Sequence, residues 1–178
     1  MPRKPLLIVP KLAAPPLIDG VIGNDEWKHA AATTGFITFG KNCLSDRQTV
    51  VYIGYDDTNL YVAYTSKYYT GGDINRGKKG RIGFSDLKDD QDFIELWIQS
   101  GRMYRQFMVN MNGGIFERNA LAKEEVNSGS KAECTVELAP YLAAGGKWFV
   151  EMVIPFKGLG LSTPKEGETW KVLFCRDF

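Results

Sequence analysis

The sequence is poor in the residues on which most catalytic and metal centres depend. It contains one histidine, His29, which argues against catalytic triads and histidine-rich metal sites. Its three cysteines, Cys43, Cys134 and Cys175, are far apart and form no C-x-x-C motif, so we expect free thiols rather than a disulfide framework. It also lacks a G-x-S-x-G elbow, a phosphate-binding glycine loop and a dinucleotide fingerprint.

The chain also has no large excess of positive or negative charge. Lys and Arg number 22 against 21 Asp and Glu, a net charge of +1, so no strong field attracts nucleic acid or an anionic membrane. No apolar run reaches the roughly 18 residues of a membrane span, and Pro10 ends the run at residues 6–9 too early for a signal-peptide core. At 178 residues, we expect one domain over residues 1–178, with residues 1–16 as an extended, proline-rich N-terminal segment.

Alternating apolar and polar residues predict strands along most of the chain. Residues 49–55 and 60–66 flank the turn tetrad Asp56-Asp57-Thr58-Asn59 and predict a hairpin. Further strands are predicted at residues 93–99, 104–112, 132–138, 148–155 and 170–175, with a possible helical turn at residues 140–146. Many short strands with regular turns indicate an all-β fold, an antiparallel two-sheet sandwich of immunoglobulin or jelly-roll type.

Two segments depart from this strand pattern. Asn24 can cap a short N-terminal helix with Asp25 and Glu26 in its first turn, followed by residues 27–32. Residues 69–88 hold five glycines and a basic cluster, and predict a long surface loop. The cluster comprises Arg76, Lys78, Lys79 and Arg81.

An acidic stretch leaves two chemical alternatives open. It contains Asp86, Asp89, Asp90, Asp92 and Glu95. A carboxylate pair can hydrolyse glycosides, but clustering in sequence does not set the separation that this reaction needs. The same oxygens could hold a structural Ca²⁺ ion, although no EF-hand spacing is present. No cofactor is otherwise indicated.

Several segments, in order, resemble carbohydrate-binding module family 9 and related carbohydrate-binding-like β-sandwich domains. They are Ile18-Asp19-Gly20 with Asp25-Glu26-Trp27, residues 51–63, Asp89-Asp90-Gln91-Asp92-Phe93-Ile94-Glu95-Leu96-Trp97, residues 104–110, residues 151–160, and Pro164 to Asp177. The likeness spans nearly the whole chain. It implies a two-sheet sandwich and a non-catalytic module that binds a polysaccharide or oligosaccharide, usually as an accessory domain of a secreted glycan-degrading protein. Its location would then be extracellular or at the cell surface.

The resemblance also implies site residues. Glu95 matches a strand carboxylate that accepts sugar hydroxyls, and Trp97 follows on the same strand face. Gln106 and Asn110 share a face of the next strand, and Arg105 is a further candidate ligand contact. Alternatively, Glu95 pairs with Arg105 or Arg102 across the hairpin. Trp27, Trp148 and Trp170 match framework positions and are expected to pack in the core.

Two departures from the pattern weaken the sugar-binding interpretation. Met108 stands where a sugar-binding member would offer arginine, which removes a hydrogen-bond donor. The family pattern also continues beyond Asp177 into a tryptophan-bearing loop and a closing strand. The domain is therefore expected to be abbreviated or cut from a longer protein, whose other domains would be further partners.

Two other functions stay open. The sandwich could be a structural or protein-interaction domain of a larger surface protein, without sugar affinity. Alternatively, a related sandwich could bind haem, with axial ligands drawn from Met108, Met111, His29 or a lysine.

Overall fold

Two antiparallel sheets form the core of the molecule. The computed structural model describes residues 5–23, 25–68, 75–119, 124–125, 133–138 and 146–178, and not the side chains of residues 103, 124–125 and 133–138. Within these ranges the strands are β1 (Ala31–Thr33), β2 (Thr49–Tyr55), β3 (Asn59–Tyr68), β4 (Gly80–Arg81), β5 (Phe93–Ser100), β6 (Met103–Asn110), β7 (Gly114–Asn119), β8 (Glu124–Glu125), β9 (Glu133–Leu138), β10 (Gly146–Pro155) and β11 (Lys171–Asp177). A 3-10 turn, Phe84–Asp86, and one short helix, α1 (Phe156–Leu159), complete the described elements.

The two sheets differ in strand order. Among the described strands, the five-stranded sheet has the order β1-β2-β3-β10-β9, and the six-stranded sheet has the order β11-β5-β6-β7-β4, with β8 beside β7. All pairs are antiparallel except β4 with β7. This arrangement confirms the predicted all-β sandwich. The described part of the chain contains no helix that is long and apolar enough to cross a membrane.

The core lies between the inner faces of the two sheets. On β5, Ile94, Leu96 and Ile98 are fully buried there, while the residues between them face outward. Trp148 on β10 is also fully buried in this core. Burying each of the three aliphatic side chains of β5 stabilises the folded state by about 1.5–3 kcal/mol. The alternation therefore fixes which residues of the six-stranded sheet can meet a ligand.

The predicted hairpin is confirmed at its turn. Asp56 Oδ1 accepts hydrogen bonds from the Thr58 and Asn59 backbone N–H groups at 2.6 and 2.7 Å. Asp56 Oδ2 accepts a third bond, from the Tyr61 hydroxyl, at 2.6 Å. The short carboxylate side chain thus holds the chain reversal between β2 and β3, as the tetrad predicts.

The predicted N-terminal helix is wrong. Asn24 lies outside the described residues, residues 25–30 form successive turns and bends, and Ala31–Thr33 form β1 against β2. Trp27 is 2% exposed, and its indole nitrogen donates to Glu151 Oε1 at 2.8 Å. A tertiary anchor on β10 and pairing with β2 therefore override a local helix signal that is only a weak preference.

The predicted long loop is shorter than expected. Residues 69–74 lie outside the described residues, but Gly80–Arg81 form β4 and Phe84–Asp86 form the 3-10 turn. Two of its four cations are in ion pairs, Lys78 with Asp86 and Arg81 with Glu117. The predicted helical turn at residues 140–146 falls mostly outside the described residues, and Gly146 begins β10.

Sequence inspection also missed β1 and β7.

The proline-rich N-terminal segment borders the five-stranded sheet, as expected. Leu12 N–H donates to Tyr55 O at 2.7 Å, and Tyr55 N–H donates to Pro10 O at 3.2 Å. The proline-rich segment therefore runs along the edge of β2, beside β1 in the same sheet.

Candidate functional site

The outer face of the six-stranded sheet brings three of the predicted site residues together. Because Ile94, Leu96 and Ile98 face the core, Glu95 and Trp97 face outward. In the β5–β6 register, Trp97 lies opposite Gln106, and Glu95 lies opposite Met108. We call this the platform face. The structure therefore places Glu95, Trp97 and Gln106 side by side, as the strand pattern predicts.

A carboxylate–amide pair lies at the centre of the platform face. Gln106 Nε2 donates to Glu95 Oε1, and Gln106 is 3% exposed. Partial burial raises the pKa of the Glu95 carboxyl, the hydrogen bond from Gln106 lowers it, and the nearby Asp177 charge raises it further. The amide fixes one carboxylate oxygen, while an ionised carboxylate can accept several more hydrogen bonds. Glu95 is thus oriented for an external donor.

Aromatic rings and a guanidinium group lie next to one another beside this pair. The Trp97 ring centre lies 5.2 Å from that of Tyr104, and the Arg118 guanidinium lies 5.5 Å from the Trp97 ring centre. Arg118 also lies 5.9 Å from the ring of Phe84, which in turn lies 5.5 Å from Phe116. We call these five residues the aromatic strip. Phe84 is 52% exposed, so the strip presents apolar ring surface to solvent.

Sequence inspection missed Arg118, Phe84 and Phe116 as site residues. Phe116 and Arg118 belong to β7, a short strand without apolar–polar alternation, and the only local signal for it is the Asn112-Gly113-Gly114 turn that precedes it. Arg118 lies opposite Gln106 in the β6–β7 register. The guanidinium that the sequence lacks at position 108 is therefore present on the neighbouring strand.

Met108 has a packing role on the platform face. It is 6% exposed and forms a small apolar cluster with Ile82 and Phe116. Its sulfur lies 3.4 Å from Gln106 Nε2. Met108 thus supports the strip from beneath and also contacts the amide of the carboxylate–amide pair.

Asn110 is held in a structural role. It is fully buried, and its side-chain oxygen accepts bonds from the Asn112 and Gly114 backbone N–H groups at 3.0 and 2.8 Å. Its Nδ2 donates to Lys78 O at 2.9 Å. A Cβ on Gly114 would lie 2.2 Å from that same carbonyl oxygen, so glycine is required there. Asn110 therefore ties the β6–β7 turn to the segment before β4.

Arg105 is not brought to the platform face. It pairs in register with Ile98, whose side chain is in the core, so its side chain lies on the opposite face from Gln106. There its Nη1 lies 4.0 Å from Glu117 Oε1, and Glu117 accepts a hydrogen bond from Arg81 at 2.9 Å. The suggested Glu95–Arg105 pair is therefore wrong, because strand alternation separates the two side chains.

Three aspartates of the acidic stretch are paired with partners within the protein. Asp86 pairs with Lys78, Asp90 accepts from Asn75 Nδ2 at 3.0 Å, and Arg176 Nε donates to Asp92 at 2.9 Å. Nowhere in the described ranges do three or more His, Cys, Asp or Glu side chains form a group that could hold a metal ion. These pairings do not fit the calcium site that the stretch suggested.

The residues suggested for haem ligation do not converge. Met111 is buried in the main core, whereas Met108 belongs to the platform face. His29 is exposed, two residues beyond Trp27, on the segment that covers the other sheet. These candidate ligands lie in different parts of the molecule, so they do not form a pair of axial ligands for one haem.

The remaining tryptophans and the cysteines are structural. Trp27 and Trp148 are 2% and 0% exposed, and Trp170 packs against the core and edge-on to Phe156, which agrees with the framework role predicted for all three. Cys43 and Cys175 are free thiols, and the side chain of Cys134 is outside the described part. Burial and the charges of Glu95 and Asp177 raise the pKa of Cys175 to about 12, so this thiol stays protonated.

Comparison with known proteins supports the fold. No protein-family model matches the sequence, and no curated protein matches it. Among solved structures, a carbohydrate-binding module of family 9 from Caldicellulosiruptor kristjanssonii, in complex with cellotriose, is 16% identical with a TM-score of 0.56, covering 93% of this chain and 73% of the other. The glucose complex of a family 9 module from that organism is 15% identical with a TM-score of 0.56, covering 93% and 75%.

A third structure extends the comparison to another organism. A candidate carbohydrate-binding protein from Bacteroides uniformis is 15% identical with a TM-score of 0.60, covering 84% of this chain and 72% of the other. At these identities the likeness concerns the fold. The chain is a two-sheet β-sandwich that resembles carbohydrate-binding modules of family 9.

Proposed function

We propose that this chain is a non-catalytic module that binds a neutral oligosaccharide on the platform face. The observation that carries the proposal is the aromatic strip beside the Glu95–Gln106 pair. A pyranose presents apolar C–H surface and hydroxyl groups together, so it needs rings for the first and fixed polar groups for the second.

The strip supplies the stacking surface. Trp97 is partly exposed, and both the Tyr104 ring and the Arg118 guanidinium lie next to its indole. Contact with these neighbours limits the rotation of the indole, so little conformational entropy is lost when a sugar packs against it. Trp97 is therefore the expected anchor of the site.

The polar groups supply orientation. Glu95 can accept hydrogen bonds from sugar hydroxyls, and the hydrogen bond from Gln106 holds its carboxylate in place. Arg118 adds a positive group on the strip next to Trp97. These roles match the binding of hydroxyl groups, and they include no paired acid and base that would cleave a glycosidic bond.

The three solved structures support this proposal at the level of fold. Two of them are family 9 modules in complex with cellotriose and with glucose. We propose in addition that the chain serves as an accessory domain of a secreted or surface glycan-degrading protein, with a neutral glucan or a related β-linked glycan as ligand.

Isothermal titration calorimetry against cello-, xylo- and manno-oligosaccharides tests the proposal. We expect binding by the wild type and a loss of about thirtyfold in affinity for Trp97→Ala, the effect of removing a central aromatic anchor. Phe39→Ala is the matched control, because Phe39 is a fully exposed ring on the separate hairpin near Ile37 and Leu44. No heat with any glycan, or equal losses in both variants, would contradict the proposed site.

One observation favours a second candidate function, a protein-interaction domain. The turn around Phe39 carries Ile37 and Leu44, which pair across a β-bridge and are 65% and 66% exposed. Exposed apolar clusters often mark protein contacts. Self-association in analytical ultracentrifugation that Phe39→Ser abolishes, without any glycan affinity, would favour this function.

A further inference from the structure

The outer face of the five-stranded sheet carries a groove that the platform face does not use. Residues 11–23 and 25–30, which we call the N-terminal wrap, cover part of this face, with Leu12 and Trp27 packed on Tyr61 and Ala63. Where the wrap ends, a groove of about 290 Å³ remains. Its lining includes Ile22, Trp27, Lys28, Tyr52, Lys147 and Phe149.

Aromatic rings form the apolar part of the groove. Tyr52 and Phe149 are partly exposed on β2 and β10, and the Tyr52 ring centre lies 6.2 Å from that of Trp27. Trp27 is fixed by its hydrogen bond to Glu151, so this wall of the groove is rigid. The floor and one side are therefore preorganised for a flat ligand with apolar surface.

The rim of the groove is basic. Lys147 lies directly opposite Lys67 in the β3–β10 register, both are exposed, and like charges placed this way repel each other. Among the described side chains, no carboxylate lies within ion-pair distance of either lysine.

Other charges border the groove. Lys28 lines it from the wrap and is paired with Asp25 at 3.3 Å. Glu26 lies next to Gly23 and does not line the groove, and Glu137 is opposite Phe149 in register, with its side chain outside the described part. Among the described side chains, Lys67 and Lys147 are thus the cations without an acidic partner at this end of the groove.

We propose that this groove binds an acidic sugar, a pyranose that carries a carboxylate. The sugar ring would pack on Tyr52 and Phe149, and its carboxylate would lie between Lys147 and Lys67, relieving their repulsion. This second site is on the opposite sheet from the aromatic strip. Its ligand differs from the neutral glycan of the platform face in charge.

Titration of the full chain with tri-galacturonate, and with a neutral oligosaccharide of equal length, tests this inference. We expect tri-galacturonate to bind the wild type and Trp97→Ala equally, and about tenfold more weakly to Lys147→Gln. Lys157→Gln is the matched control, since Lys157 is an exposed lysine in α1, about 25 Å from Lys147 at the strand rise of about 3.3 Å per residue. Raising the salt concentration should weaken binding to the wild type and to Lys157→Gln.

The inference would be overturned by tri-galacturonate binding that Trp97→Ala removes, since the acid would then occupy the platform face. Equal affinity for the acidic and neutral sugars at the Lys147 site, or equal effects of Lys147→Gln and Lys157→Gln, would overturn it too. If neutral glycans did not bind at all, while tri-galacturonate bound the wild type and Trp97→Ala equally, the proposed function would be contradicted and this second site would stand.

Discussion

Two glutamates on opposite sheets show how similar side chains acquire different roles. Glu95 and Glu151 both lie on outer faces of central strands, and burial is the largest effect that raises the pKa of each carboxyl. Glu151 accepts three N–H groups, from Trp27 at 2.8 Å and from the Gly20 and Asp19 backbones at 2.8 and 3.2 Å. Glu95 takes its hydrogen bonds from side chains, from Gln106 Nε2 and also from Trp97 and Cys175, and it is only partly buried.

The difference lies in what covers the two faces. The N-terminal wrap covers Glu151 completely and supplies three N–H donors to its carboxylate, so this carboxylate organises the fold. The platform face is covered only in part, where Ile82 and Leu87 pack with Met108 and Phe116, and Glu95 and Trp97 stay partly exposed. Glu95 is therefore held by neighbouring side chains but stays partly exposed, so that a ligand hydroxyl can reach it.

The largest expected effect comes from removing the structural glutamate. Glu151→Ala should lower the free energy of unfolding by about 3–5 kcal/mol, because three N–H donors lose their acceptor in a buried setting. Urea denaturation monitored by tryptophan fluorescence measures this. Glu166→Ala, at an exposed glutamate, should change stability by less than about 0.5 kcal/mol. Equal effects of the two substitutions would contradict the structural role of Glu151.

Asn110 on β6 is a buried amide that we expect to act structurally, as Glu151 does. Asn110→Ala should lower the free energy of unfolding by about 2–3 kcal/mol, because the turn N–H groups of Asn112 and Gly114 lose their acceptor. Asn110→Asp keeps that acceptor and should recover part of the loss. The glycan affinity of the folded fraction should be unchanged in both variants. A lost affinity with unchanged stability would instead make Asn110 a ligand contact.

For Glu95 we expect the opposite result, a loss of glycan affinity without a loss of stability. Glu95→Gln removes a charge-assisted acceptor, so we expect about tenfold weaker binding of neutral glycan with no loss of stability. Calorimetry and thermal unfolding on the same samples separate the two quantities. Glu166→Gln serves as the control for charge removal. A destabilised Glu95→Gln variant would mean that Glu95, like Glu151, is a structural group.

The smallest expected effect is on the pH dependence. Because the pKa of Glu95 is raised above its ordinary value of 4.5, the folded state favours the protonated carboxyl. Ionisation therefore costs stability as the pH rises through the folded-state pKa, and relative to Glu95→Gln the wild type should gain stability as the pH falls. Glycan affinity should fall over the same range, since a protonated carboxyl is a weaker acceptor. Identical pH profiles for the two proteins would contradict this.

The sequence pattern predicted the fold better than the site. Alternation placed Glu95, Trp97 and Gln106 on one face because strand geometry is local, and the Asp56 turn was found for the same reason. Arg118 and Phe84 were missed since their place beside Trp97 depends on β7 and on the 3-10 turn after β4. The N-terminal helix was predicted wrongly because Glu151, over a hundred residues away, fixes Trp27.

The most direct test of the central claim is the response of the four tryptophan indole N–H signals to a neutral oligosaccharide in a ¹⁵N-labelled sample. The account predicts that the Trp97 signal, assigned with Trp97→Ala, shifts most, together with backbone amides of β5, β6 and β7. Trp27 and Trp148, which are buried, should hardly move. An unchanged Trp97 signal at saturation, or shifts confined to β2, β3 and β10, would contradict glycan binding on the platform face.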